Sequence, residues 1–292
     1  MRTHQSLAVT ILFISSIGWG VTWIPIKGIT QMGLDGVYLV FIAFASAGVL
    51  LSPFLYKQMA SWQGNMRFLL LIALFGGLAN LTFQTAMVHG NVVRVMILFY
   101  LLPVWSVLGA WYILHEKPDW LRIVAMFVSL SGAMLILDVD SGTFAGLGWI
   151  DVLAIIAGMT FALNNIMFRK TAAQPLAGKI SVVFLGCAAM IGAYLLVVPG
   201  TVAMPDNASP LYAVLYGVIF LNLITFGTQW GVTQLEAGRA SLIIVMELVA
   251  AVVSVALLTE VTLSVREIAG ALLVMTAAIV EGWREPQSES TS

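Results

Sequence analysis

The apolar run MELVAAVVSVALLTEV at residues 246–261 holds a glutamate, Glu247, close to the middle of the span 238–258. An acid in hydrocarbon is costly unless it is paired, hydrated or protonated. A carboxyl that takes up a proton on one side of a barrier and releases it on the other is what proton coupling requires, so Glu247 is the proton-coupling candidate. Its plain alternative is a structural glutamate, hydrogen-bonded across a helix contact. Carboxamides form a second set. Gln84 and Gln229 stand at equivalent places in two similar segments, and Asn80 lies one turn before Gln84 on the same helix face. Asn164 and Asn165 are adjacent, so they point about 100° apart, and at most one of them faces a central cavity while the other bonds a neighbour. Such amides hold the polar groups of a solute or tie helices together. Trp19 and Trp23 put two indoles on one face with Lys27 a further turn along. An aromatic wall with a cation at its end suits an aromatic or carboxylate-bearing solute; ordinary packing with a snorkelling lysine is the other reading. Tyr100 lies three residues before Pro103, as a gate or an interface residue.

Other chemistries lack their parts. The three histidines, His4, His89 and His115, fall at or near surfaces, and no HExxH, GxSxG or GxxxxGK[ST] pattern occurs. Neither an intramembrane hydrolase nor a nucleotide-driven pump is expected, and no catalytic residue, metal or cofactor. Cys187, the single cysteine, sits in an apolar run and reads as packing. Formal net charge is −1 with no basic cluster, which argues against a nucleic-acid partner.

The elements that position these residues follow from composition. Of 292 residues 60% are hydrophobic and 9% charged, whereas a soluble chain is about a quarter charged. The expected fold is all-α and polytopic, with ten transmembrane helices over 7–27, 36–56, 67–87, 93–114, 120–137, 148–168, 179–198, 210–230, 238–258 and 264–283. The first span lacks a small-residue cleavage site and reads as retained. Pro25 and Pro103 each withdraw a backbone donor, so a bend is expected at both. With the N-terminus in the cytoplasm, ten Lys and Arg residues from Arg2 to Arg284 fall inside, and Lys27, Arg94 and Arg266 outside. Cytoplasmic loops are the basic ones, so both termini are expected inside. Arg94 and Arg239 open helices, where the dipole disfavours a cation; each is expected to meet lipid phosphate or another helix's carbonyls. Glu116 and Glu260 read as loop residues that close helices at opposite surfaces.

The chain also repeats. Pro103 precedes Glu116 by thirteen positions, and Glu247 precedes Glu260 by thirteen; Arg122 and Arg266 keep the same offset of 144. FQTAMVHGNVVR at 83–94 overlies GTQWGVTQLEAGR at 227–239 after a one-residue gap, pairing Gln84 with Gln229. GWGVTWIPIKG at 18–28 overlies TFALNNIMFRK at 160–170. Two units result, 1–142 and 143–283, followed by a polar tail, 284–292, expected to be disordered. Five helices per unit is odd, so the second enters the membrane inverted. That arrangement recurs in secondary transporters, with the site near the midplane.

The ten-span plan, the WG-x₆-K of Trp19, Gly20 and Lys27, the LPVWSVLGAWYILHE of the fourth helix and the ELVAAVVSVALLTE of the ninth resemble the EamA-type members of the drug/metabolite transporter superfamily. The resemblance implies export of amino acids, other small metabolites or drugs from the bacterial cytoplasm across the inner membrane; the aromatic amino-acid exporters of YddG type are one branch. At two places the chain departs from that pattern: the usual Gly before the acid that closes the fourth helix is His115, and before the acid that closes the ninth it is Thr259. A multi-pass carrier is therefore expected, acting on a small-molecule substrate by alternating access in the lipid bilayer with protons as a candidate partner, as monomer or homodimer. A passive channel or an importer is the alternative. A phosphate substrate would need more buried Lys or Arg than these helices offer.

Overall fold

The computed structural model describes residues 2–139, 148–197, 207–259 and 262–284, and the regular structure among them is helical throughout. The boundary placed at 142/143, Glu260, and the tail beyond Arg284 lie outside the described residues. The helices are α1 (Arg2–Gly20), α2 (Trp23–Gln31), α3 (Gly36–Gln58), α4 (Met66–His89), α5 (Val92–Phe99), α6 (Leu102–Gly109), α7 (Trp120–Ile136), α8 (Trp149–Lys170), α9 (Leu176–Val197), α10 (Ser209–Leu215), α11 (Asn222–Gln234), α12 (Ala237–Ile244), α13 (Met246–Leu258) and α14 (Val265–Trp283). Eight continuous stretches are long and apolar enough to cross a bilayer: His4–Gln31, Gly36–Trp62, Met66–Met87, Val92–Leu114, Trp149–Lys170, Leu176–Val197, Ser209–Gln234 and Ala237–Leu258. The spans expected at 120–137 and 264–283 are helices as well, α7 and α14. They differ from the eight in kind: α7 has only 17 residues, and α14 carries Arg266, Glu267 and Glu281.

Several spans are broken, and the backbone explains where. Pro25 has no N–H for the carbonyl of Val21; the N–H of Ile24 donates to it instead at 3.1 Å, at the step between α1 and α2. Pro103 is the second residue of α6, and the turn at Tyr100–Leu101 separates α5 from α6. A break without proline falls at Val245, between α12 and α13, 144 positions after Leu101. Pro53 sits inside α3, and there the Ser52 hydroxyl donates to the orphaned Val49 carbonyl at 2.8 Å. Side-chain caps fix other starts: Asp35 accepts from the Val37 amide at 2.9 Å, and Asp119 from the Arg122 amide at 2.8 Å.

Packing is close where side chains are small. α7 and α14 meet at Gly132 and Gly270; a Cβ on Gly132 would lie 2.7 Å from the Gly270 carbonyl oxygen. The main contacts pair α3 with α9, α7 with α14, α4 with α8 and α9, and α1 with α11 and α13. α8 also packs on α5 and α6, and α3 on α10 and the π-helical turn 216–221 that follows it. Large apolar side chains remain exposed around the bundle, Tyr56, Tyr112, Trp120 and Trp283 among them.

Candidate functional site

A shallow cleft opens between α3, α4 and α9, lined by Val37, Val40, Leu81, Gln84, Thr85, Ile191 and Tyr194. An apolar wall with a few polar groups is the general form of a small-molecule site. Of the residues expected from the sequence only Gln84 lines it. Thr85 and Tyr194 were missed: a threonine whose hydroxyl bonds its own helix and a tyrosine in a distant span give no local signal.

At the broken helices Tyr100 is buried, and its hydroxyl and the Glu247 carboxyl are hydrogen-bond partners. Both stand beside interruptions, Tyr100 between α5 and α6 and Glu247 one residue into α13. Two close approaches fix their surroundings. A Cβ on Gly20 of α1 would strike the Glu247 backbone, and one on Gly158 of α8 would lie 2.6 Å from the Phe99 carbonyl oxygen. Phe99 meets Tyr100 edge-on at 5.5 Å between centroids and Phe161 at 5.8 Å.

The two tryptophans do not share a partner. The Trp19 indole donates to the Thr228 hydroxyl at 3.0 Å on α11, and the Trp23 indole to the Ser254 hydroxyl at 2.9 Å on α13. Lys27 is exposed and lies 5.8 Å from the Trp23 ring centroid. The amides separate as well. Asn80 donates to the Gly76 carbonyl at 3.1 Å and to Cys187 Sγ at 3.2 Å, so the cysteine contributes a hydrogen bond besides packing. Gln229 donates to Asn165 Oδ1 at 3.2 Å, tying α11 to α8. Asn164 is buried with its Oδ1 lacking a partner among the described residues. The structure thus brings together Tyr100 with Glu247, Asn165 with Gln229 and Trp23 with Lys27, and leaves Gln84 alone in the cleft.

At the surface Arg94 pairs with Asp151, an acid in the first turn of α8, at 2.6 Å. Arg239 donates to the Gly282 carbonyl at 2.6 Å, at the end of α14. Glu116 is more than a closing loop residue: it pairs with Arg169 and accepts the Ala237 amide at 2.9 Å, at the start of α12.

Comparison with known proteins adds three findings. Residues 6–138 match the EamA-like transporter family. A protein of Buchnera aphidicola subsp. Schizaphis graminum (strain Sg), described as an uncharacterized transporter, is 24% identical over 162 residues, which is 53% of this chain and 53% of that protein. The chain therefore spans about half the length of the curated relative it matches. A solved crystal structure superposes with a TM-score of 0.74 over 94% of this chain and 96% of its own, at 14% identity, a likeness of fold alone.

Proposed function

We propose, for a chain whose residues 6–138 match the EamA-like transporter family, that two inverted five-helix units, 1–142 and 143–283, carry a solute by alternating access. A multi-pass membrane protein that transports small molecules is what the family implies. Beyond that, our reading is export of small metabolites, amino acids (aromatic ones among them) or amphipathic drugs, with Glu247 as the group that couples export to protons. Its setting is the bacterial inner membrane with both termini cytoplasmic, and its assembly a monomer or homodimer.

The observation that carries this reading is the pattern of helix contacts. Let α1–α2 correspond to α8, α3 to α9, α4 to α10–α11, α5–α6 to α12–α13 and α7 to α14. Under that exchange the pairs α3–α9 and α7–α14 map onto themselves. The pair α4–α8 maps onto α11–α1, α4–α9 onto α10–α3, and the contacts of α8 with α5 and α6 onto those of α1 with α12 and α13. A bundle built this way has two packings of similar energy, one open to each side. Breaks at Leu101 and Val245, in equivalent helices, supply positions where those helices can bend. Loading proteoliposomes with a panel of amino acids and cationic drugs and following efflux with and without a pH gradient tests the proposal. Gradient-driven efflux of a class of solute supports it; efflux of none, under any gradient, counts against it.

A further inference from the structure

The end of the molecule that holds Glu116 is bound together by charges that the transport reading leaves unused. Arg122 of α7 pairs with Glu236, which precedes α12, and lies 3.5 Å from a carboxylate oxygen of Glu281 on α14. Arg284 pairs with Asp119, and Arg169 with Glu116 at 3.3 Å. Arg122–Glu236, Arg122–Glu281 and Arg169–Glu116 join the first unit to the second, as does the Ala237 amide bonded to Glu116. Arg284, the first residue after the second unit, ties Asp119 of the first unit to Glu281 of the second, holding Glu281 at 2.6 Å. Two of the side chains are withdrawn from water, Glu281 with no exposure and Arg122 with 6%. Counting Arg239, four arginines stand among four carboxylates, so the set has no net charge with which to attract an ionic ligand.

The opposite end is joined differently. Among the described residues two ion pairs cross between the units there: Arg94–Asp151, itself largely buried, and Arg266–Asp138, whose side chains are 71% and 74% exposed, so this end has one sheltered pair where the other has several. Exposed pairs contribute little, whereas stripping one partner from a buried pair is costly. The cleft lies in this half of the bundle, with the half-buried Gln84 on its wall. Its repeat equivalent Gln229, in the half near Glu116, is buried and bonded to Asn165. Equivalent amides therefore sit in an open half and a closed half of one molecule.

We propose that the charges around Arg122 and Arg284 form a latch that holds the Glu116 end shut while the cleft is open, and that its release lets the two units rock the other way. This rests on the alternating-access reading. The test uses one reporter on each side of the latch, with Cys187→Ser removing the lone native thiol. Ala110 is buried beside Glu116, Pro118, Arg122 and Gly238, and Val40 lies in the cleft. Ala110→Cys and Val40→Cys are labelled in proteoliposomes with a membrane-impermeant maleimide, with and without Glu236→Gln or Asp119→Asn. Asparagine keeps the oxygen that caps α7 while removing the charge that faces Arg284. Each substitution is expected to raise labelling at Ala110→Cys and lower it at Val40→Cys, both by about fivefold, because one equilibrium governs both ends. A rise at Ala110→Cys with Val40→Cys unchanged would mean local loosening and would overturn the latch, as would no change at either. Two substitutions facing different arginines keep the result decisive if one variant does not fold. Counterflow by the unsubstituted protein, measured in the same vesicles, separates the outcomes: its absence sinks the carrier reading, while its presence with unmoved reporters sinks only the latch.

Discussion

Replacing Glu247 by Gln keeps the size of the side chain and a partner for Tyr100 while removing the proton that could be exchanged. Glu247→Gln is expected to abolish the dependence of transport on a pH gradient while exchange of solute without a gradient persists. Unaltered gradient-driven export by this variant would remove Glu247 from the mechanism and leave it a structural acid. The Asn165–Gln229 bond makes a different prediction, about stability. Asn165→Leu leaves a buried amide without its acceptor, and the cost is expected at about 1–3 kcal/mol. Because the two side chains share one bond, Asn165→Leu with Gln229→Leu should cost less than the sum of the single changes. Thermal unfolding in detergent checks both. The sequence made these residues visible as polar groups in apolar spans, since any such group needs a partner or a solute. Which partner each takes was not legible. Thr228 and Ser254 lie more than 200 positions from the tryptophans they bond, and their hydroxyls look like those of any helix-backed Ser or Thr.

Among the elements, the fourth span shows what a local pattern can carry. Pro103 announces an interruption, and α5 and α6 part at Tyr100–Leu101, between Pro103 and the Phe99 carbonyl to which it has no N–H to donate. Its equivalent at Val245 has no proline, so nothing in the composition of MELVAAVVSVALL announces that break. The end of the fourth span is a sharper case. His115 follows a π-helical turn and takes φ of +60°, the left-handed region in which glycine is at ease. His115→Gly is therefore expected to raise stability by up to about 1–2 kcal/mol, the cost of that conformation for a residue with a Cβ. Thr259, at the corresponding place after α13, is extended at φ of −129°, so Thr259→Gly should bring no such gain. Equal shifts in melting temperature from the two substitutions would contradict the backbone explanation. The segments 120–137 and 264–283 were legible as apolar helices, α7 and α14, though neither is among the eight stretches long and apolar enough to cross a bilayer. What could not be read was that they pack on one another through Gly132 and Gly270, because glycine in a membrane helix marks a close contact without naming its partner.

For the whole molecule, the offset of 144 positions between matching motifs predicts two units, and the correspondence of helix contacts is what supports that proposal. The asymmetry between the two ends is a property of the assembled bundle. Arg122, Glu236, Glu281 and Arg284 come from three separate stretches of chain, and each alone reads as an ordinary loop or helix-end charge. The claim on which everything else depends is that the protein moves solute by exchanging two closed-on-one-side packings rather than by forming a continuous pore. Counterflow in proteoliposomes tests it most directly: vesicles are loaded with unlabelled solute from the class found in the efflux panel, and uptake of a labelled trace of the same solute is followed. Saturable uptake that transiently exceeds equilibrium, and vanishes when the internal solute is omitted, is the predicted result. Uptake that rises linearly with concentration and ignores the solute inside would contradict alternating access and describe a channel.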